Sequence, residues 1–264
     1  MNTPLAIRIT GIGAWAPGVP DWQRLREVLR GEAAVADAAP VRPAGTLLPA
    51  AERRRAPDGV RLAADVAAQA TGMAGIDPAM IPCVFASTHG EVAITDYVCE
   101  TLARAPLDLS PTKFHNSVLN APAGYWTIAT GCTAASSAVT AHHRSFATGL
   151  LEAAALACAE NTPVLFASCD VASTGPLAEM TRTTLAFGTA LVLHPTATDG
   201  ARLRLALHPG IAPPLPRVAL PATAGDNPAN AEALAVLSTL AQAHPANLRL
   251  RLSSGLSLDM EITP

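Results

Sequence analysis

Apolar and polar positions along the chain switch between the two-residue period of strands and the 3.6-residue period of helices. Residues Ile7-Arg8-Ile9-Thr10-Gly11-Ile12-Gly13 alternate apolar with other residues and end in glycines, which predicts a strand running into a tight turn. Asp21 is a good N-cap for a short helix over Trp22 to Leu29, where Leu25, Val28 and Leu29 form an apolar stripe and Gly31 follows as a stop. The Pro/Ala-rich stretch from Ala38 to Ala51 has no clear period and predicts an irregular surface connection. Val60 to Ala74 reads as an Ala-rich helix with Leu62, Val66 and Ala70 on one face, and Ile81 to Ser87 as a short buried strand. The order is strand, helix, strand.

Further on, Ser117 to Thr127 has helical spacing. Phe146 to Ala159 is apolar around nearly its whole circumference apart from Thr148 and Glu152, so a helix there must be covered on all sides. Pro163 to Ser168 is a continuous apolar run, as in a central strand buried on both faces. A helix sandwiched between sheets accounts for both patterns. Ala190 to Leu193, Arg202 to Leu207, Leu248 to Ser253 and Leu256 to Ile262 are strand candidates, and Ser253-Ser254-Gly255 can turn the last two into a hairpin. Pro209 to Pro221 reads as a surface crossing, and Asn230 to Ala243 as a helix packed on the outside.

With 264 residues, half of them hydrophobic, and a formal net charge of -3, the chain has apolar mass for one substantial core. Arg53-Arg54-Arg55 is the one basic run, too little to bind a phosphate backbone, so no nucleic acid is expected as a partner. Cys83, Cys99, Cys132, Cys158 and Cys169 form no C-x-x-C pair and sit mostly in apolar runs, as reduced buried thiols do. Together with the lack of a basic, apolar, small-residue leader after Met1, this predicts a cytoplasmic protein. The most apolar stretch, Leu150 to Cys158, is broken by Glu152 and is too short for a membrane span.

Ser110-Pro111-Thr112-Lys113-Phe114-His115-Asn116-Ser117-Val118-Leu119-Asn120-Ala121, continuing through Pro122-Ala123-Gly124-Tyr125-Trp126 to Gly131, resembles a stretch of the β-ketoacyl synthases. In that family a Ser-Pro, a Ser/Thr-apolar-apolar-Asn and an Ala-Gly precede the segment with the active-site cysteine. Gly149 to Ala154, Pro163 to Asp170 and Ala186 to Leu193 are similar to the buried helix and strands that come after it. The resemblance covers about Ile7 to Leu193, is weakest between Ala33 and Asp58, and is not visible after Gly200. It implies an α/β fold of the layered thiolase-like type, with buried helices between sheets and a truncated second half. Residues 1–200 would form the ketoacyl-synthase-like N-terminal domain, and 201–264 a short C-terminal extension completing the same domain.

A ketosynthase needs a thiol at a helix N-terminus, where dipole and backbone N–H groups favour thiolate, and two histidines for decarboxylation. Carried forward from Asn120 without a gap, the resemblance places His143 where the nucleophile would stand. The family's later His-Gly-Thr-Gly-Thr signature has no counterpart, so no catalytic residue is carried over and the chain is expected not to be an enzyme. Cys132, in Gly131-Cys132-Thr133-Ala134, is an alternative nucleophile for an acyltransferase or ketosynthase, set against a plain packed thiol; using it breaks the register of the next helix and strand. The His142-His143 pair has no metal-ligand partners at sequence spacing, so neither metal nor cofactor is expected. The family's architecture makes Thr88, His89, Glu91, Val92, Thr95, Lys113, Phe114, Asn116 and Ser117 candidates for acyl tunnel or dimer interface, against the plainer reading of loop and helix surface.

The wording of residues 117–126 is most similar to short ketosynthase-like proteins of bacterial aryl polyene pathways. The resemblance therefore implies a chain length factor of type II polyketide type, forming a heterodimer with an active ketosynthase and meeting acyl carrier protein through that complex. A carrier-protein docking scaffold is the further alternative; scarce Lys and Arg weigh against it, since carrier proteins are acidic. Alone, a half-thiolase with exposed sheet edge is expected to homodimerise or to be poorly soluble.

Overall fold

The computed structural model describes residues 3–35, 42–215, 218 and 231–264. Parts of the irregular connection expected over 38–51 and of the crossing expected over 209–221 lie outside the described residues. Strand β1 (Leu5–Trp15) leads to helix α1 (Trp22–Leu29), α2 (Ala50–Arg55) and α3 (Asp58–Ala74), then β2 (Cys83–Ala86). Next come α4 (Val92–Arg104), α5 (Pro111–His115), α6 (Ala121–Thr130), β3 (Ser136–Val139), α7 (Ser145–Glu160) and β4 (Val164–Asp170). The short α8 (Ala178–Thr181) precedes β5 (Phe187–His194) and β6 (Ala201–Pro209), and α9 (Ala231–Gln242) precedes the hairpin of β7 (Ala246–Arg251) and β8 (Leu256–Thr263).

Local chemistry sets several of these limits. The Asp21 carboxylate accepts from the Arg24 amide at 2.8 Å, capping α1, and Gly31 leaves the helix in the left-handed conformation at φ +73°.

The eight strands form one sheet in the order β3-β2-β4-β5-β1-β6-β8-β7. β3, β2 and β4 run parallel, and every later pairing is antiparallel. One face carries Ile7, Ile9, Phe166, Leu191 and Leu203 beneath α1, α7 and α9; the other carries Leu165, Ala167, Ala190 and Val192 beneath α3 and α6. β4 is covered on both faces, which is why its apolar residues run without interruption.

A register shift between Ile9 and Gly11 turns Gly11 and Gly13 toward α3. A Cβ on either would lie 2.0 Å from a helix carbonyl oxygen, of Ala70 or Val66, so strand and helix backbones touch there. On the other face Gly149 lets α7 settle onto the sheet, where a Cβ would lie 2.7 Å from the Phe166 ring and 3.0 Å from the Ala86 methyl.

The layered α/β class agrees with the expectation, with helices on both faces, but all eight strands lie in one sheet, so among the described residues no helix is sandwiched between two sheets. The truncation takes a definite form. After β5 the chain returns to pair β6 with β1, Leu5 opposite Leu205 and Ile9 opposite Ala201, so the C-terminal strands lengthen the first sheet. Among the described residues α7 therefore has the sheet on one side and α9 at its flank, with Ala155 exposed and Leu151 and Leu156 half-buried.

Candidate functional site

Parallel pairing of β2, β3 and β4 brings their C-terminal ends to one edge, where the loops leaving them meet the head of α7. β2 delivers Ser87, Thr88 and His89; β3 delivers Thr140, Ala141, His142 and His143; β4 ends at Asp170. The turn from β3 into α7 is tight. His142 takes φ +55°, a left-handed conformation that costs a side-chain-bearing residue energy. It is held by Ser145, whose amide donates to His142 O at 3.1 Å and whose hydroxyl donates to the same oxygen at 2.7 Å while accepting from the Ala141 amide at 2.9 Å.

Asp170 fastens the β2 loop. Its buried carboxylate accepts from Ser87 Oγ at 2.9 Å, Thr88 N at 2.8 Å and Thr88 Oγ1 at 2.9 Å. Burial raises this carboxyl from 3.8 to about 6, against the pull of those hydrogen bonds and one from the His89 amide. Thr140 Oγ1 donates to Thr88 O at 3.0 Å, tying the loop after β3 to the loop after β2.

Three imidazoles converge there. Ring centroids lie 3.8 Å apart for His142 and His143, 5.2 Å for His89 and His142, and 6.2 Å for His89 and His143. Burial first, then His142, holds the His89 imidazole below its ordinary range. Burial first, then His142, His89, Arg144 and Arg182, does the same for His143. Both are therefore neutral at pH 7. Among the described residues, buried His89 Nε2 and His143 Nδ1 have no hydrogen-bond partner. Sequence spacing concealed His89 as a neighbour of the pair; only strand pairing brings residues this far apart together. Among the described residues no group of three or more His, Cys, Asp and Glu side chains is arranged to hold a metal ion.

Glu91 lies deeper. Its Oε1 accepts from the Gly59 amide in the first turn of α3 at 2.8 Å, and burial is the main cause that lifts this carboxyl from 4.5 to about 7. Gly59 makes room for it, since a Cβ there would lie 2.3 Å from Glu91 Oε1. Glu91 and Val171 form a common wall between a small enclosed cavity of about 20 Å³, lined also by Phe85, Leu119 and Cys169, and an open apolar groove of about 480 Å³ bordered by Trp15, Ile94 and Leu185.

The candidate residues divide into three groups. Thr88, His89 and Glu91 stand at the strand ends with His143, while Val92 and Thr95 open α4. Lys113 lies on α5 with its Nζ 3.6 Å from the centre of the Tyr97 ring; Phe114 is 59% exposed, and the Ser117 hydroxyl closes the next turn by donating to Phe114 O. Asn116 is 2% exposed, donates to Arg55 O at 3.0 Å and accepts from the Tyr125 hydroxyl at 3.0 Å.

Cys132 lies at the opposite end of the strands. It follows Gly131 at the end of α6 and donates from Sγ to Ile81 O at 3.4 Å, before β2 begins. The length of β3, about 13 Å for four residues at ~3.3 Å each, separates it from the head of α7. Cys169 neighbours Asp170 but points beneath α3, and burial first, then the Asp170 charge, pushes its thiol well above the ordinary range. Neither thiol lies in the turn that leads into α7.

One chain of the complex between ketosynthase ApeO and its chain length factor ApeC from Xenorhabdus doucetiae has the same fold, with TM-score 0.75, 24% identity, and coverage of 97% of this chain and 99% of that chain. The ishigamide ketosynthase/chain length factor matches with TM-score 0.68 at 16% identity over 97% of this chain and 99% of that chain. A complex of the type II acyl-carrier protein AntF with its ketosynthase AntDE matches with TM-score 0.71 at 12% identity over 100% and 99%. No curated protein matches the sequence. The family description "Beta-ketoacyl synthase, N-terminal domain" matches residues 22–254, so the likeness runs well past Gly200, where the motifs cease to be visible. Matched over most of its length and folded as those structures are, the chain belongs to the β-ketoacyl synthase family, through its N-terminal domain.

Proposed function

We propose that this chain is a catalytically vacant ketosynthase-like subunit that acts as chain length factor for an active ketosynthase in aryl polyene or related polyketide synthesis. One observation carries the reading: the turn at the head of α7, where a helix N-terminus stabilises a thiolate, bears His142 and His143 and no cysteine. The partners named for the ApeO–ApeC and ishigamide structures support the pairing, and the carrier protein bound to AntDE supports contact with an acyl carrier protein through the complex.

A subunit of this kind needs a surface for its partner and a wall for the growing chain. Leu107, Phe114, Val118 and Ile128, which are 98%, 59%, 50% and 73% exposed, give the α4–α6 region an apolar outer surface. The apolar groove beside Glu91 offers a wall that works by shape, with no bond made or broken. His143, with one face toward the strand ends, would line the approach.

Co-expression with the ketosynthase, affinity capture and mass determination of the complex test the pairing, with a one-to-one heterodimer expected. In the reconstituted synthase, His143→Ala is expected to change the distribution of product lengths. A chain that purifies without the ketosynthase, and product lengths indifferent to the substitution, would overturn the proposal.

A further inference from the structure

Where β1 and β4 end and β5, α3 and α4 begin, the chain frames the open groove of about 480 Å³ beside Glu91. Trp15, Pro17, Pro57, Ile94, Val171 and Leu185 line it, so its walls are apolar and three of them are flat or stiff rings. Trp15 also packs in the core beneath α3, which holds that wall in place. A polar rim stands at one border, where Arg42 Nε donates to Asp58 Oδ1 at 2.9 Å. A second opening of about 480 Å³, bordered by Pro4 and Pro213, is instead crossed by the ion pairs of Arg204 with Glu261 and Arg249 with Asp259. Size does not separate the two. Apolar walls with few placed polar groups do, and that is the make-up of a site for a small organic ligand.

We propose that this groove takes the first-made end of the partner enzyme's product, an aromatic ring with a hydrogen-bonding substituent, and that Glu91 recognises the substituent. The proposal rests on the chain length factor reading. A chain held as a thioester lengthens at the thioester end, so the end made first is pushed furthest from the reacting atoms; in an aryl polyene that end is the aryl group. A planar ring fits between the Trp15 and proline walls. Glu91 stands at the wall shared with the small cavity, its Oε1 held by the Gly59 amide at 2.8 Å, so a ring hydroxyl meets a carboxyl of fixed orientation. That contact is open to a phenol and closed to a plain hydrocarbon, which makes Glu91 a specificity-determining residue.

The test titrates the full chain with three soluble N-acetylcysteamine thioesters, 4-hydroxycinnamoyl, cinnamoyl and octanoyl, and follows backbone amide resonances. Both aryl probes are expected to shift Trp15, Ile94 and Leu185, with the hydroxylated one bound about three- to tenfold more tightly than cinnamoyl and octanoyl the weakest. A93W, at an exposed position on the groove border, should weaken both aryl probes by about tenfold. E91L should bind the two aryl probes equally, since it removes the hydrogen-bonding group. Shifts confined to other residues, octanoyl as tight as the aryl probes, equal affinity of the two aryl probes for the unaltered chain, or a preference that survives in E91L would each overturn the proposal.

Should E91L fail to fold for want of the Gly59 contact, the unaltered chain and A93W still decide, because they read the site and the preference without changing Glu91. The titrations need no ketosynthase. A chain that forms no heterodimer refutes the chain length factor reading whatever the probes do, whereas a heterodimer whose subunit ignores the probes refutes the groove assignment alone.

Discussion

Replacing Asp170 by asparagine should make the protein respond differently to pH, by an amount that the structure sets. The Asp170 carboxyl is raised from 3.8 to about 6, chiefly by burial, so the folded state holds its proton more tightly than the unfolded chain does. The stability this contributes is fully present below the unfolded value and is lost as pH rises through the folded one. The whole change is about 3 kcal/mol, since one pKa unit is worth about 1.36 kcal/mol. About 2 kcal/mol of it falls between pH 4.5 and 7.5. The asparagine of D170N has no proton to exchange. Its carbonyl oxygen can still accept from Thr88 N, and the hydroxyls of Ser87 and Thr88 can rotate to accept from its amide.

The measurement is urea unfolding of wild type and D170N at several pH values from 4.5 to 7.5, taking the difference between the two at each. Subtraction removes Glu91 and Glu232, whose carboxyls are also raised but are present in both proteins. D170N should gain on wild type by about 2 kcal/mol across that range. A difference that stays constant to within about 0.5 kcal/mol would refute the claim that Asp170 is ionised at a cost in this network.

Two further outcomes are expected from the packing and the thiols. Gly149→Ala should destabilise by about 1–3 kcal/mol in the same unfolding assay, because its Cβ would press on the Phe166 ring and the Ala86 methyl; an unchanged midpoint would mean that α7 can lift off the sheet freely. Iodoacetamide at pH 8 should modify Cys99 first and leave Cys83, Cys132 and Cys169 until the chain unfolds, since those three are buried and burial pushes the Cys83 thiol up to about 12; early labelling of Cys132 in the native chain would revive it as a nucleophile.

Where one physical signal dominates a segment, its structure can be read from the residues. Asp21 before an apolar stripe marks the start of α1, the all-apolar run from Phe146 marks α7, and strict alternation in Arg202 to Leu205 and Leu248 to Leu252 marks strands with one covered face. Helix α4 carries Ile94, Tyr97, Val98 and Leu102 at helical spacing, yet only Val92 and Ile94 are buried along it, so its apolar residues do not mark a core-facing stripe. β3 is four residues of Ser-Ser-Ala-Val whose strand state comes entirely from pairing with β2. The candidate site was visible in part. His143 is reached through the resemblance and sits at the turn into α7. By contrast, the approach of His89, the Asp170 network and the Glu91 contact with Gly59 depend on strand pairing or on helix placement, which periodicity along one segment does not encode.

The eight-strand order puts β1 between strands from the two parts of the chain, with β5 on one side and β6 on the other. Ending the polypeptide at Gly200 would strip the second neighbour and lay bare the Leu5–Ile9 stretch, an open row of amides and carbonyls with apolar side chains at alternate positions. Such a rim seeks another chain to zip onto. The C-terminal strands thus cover that rim and move the edge of the sheet outward to β7, where Arg249 and Arg251 sit, with the short β3 as the edge at the far end.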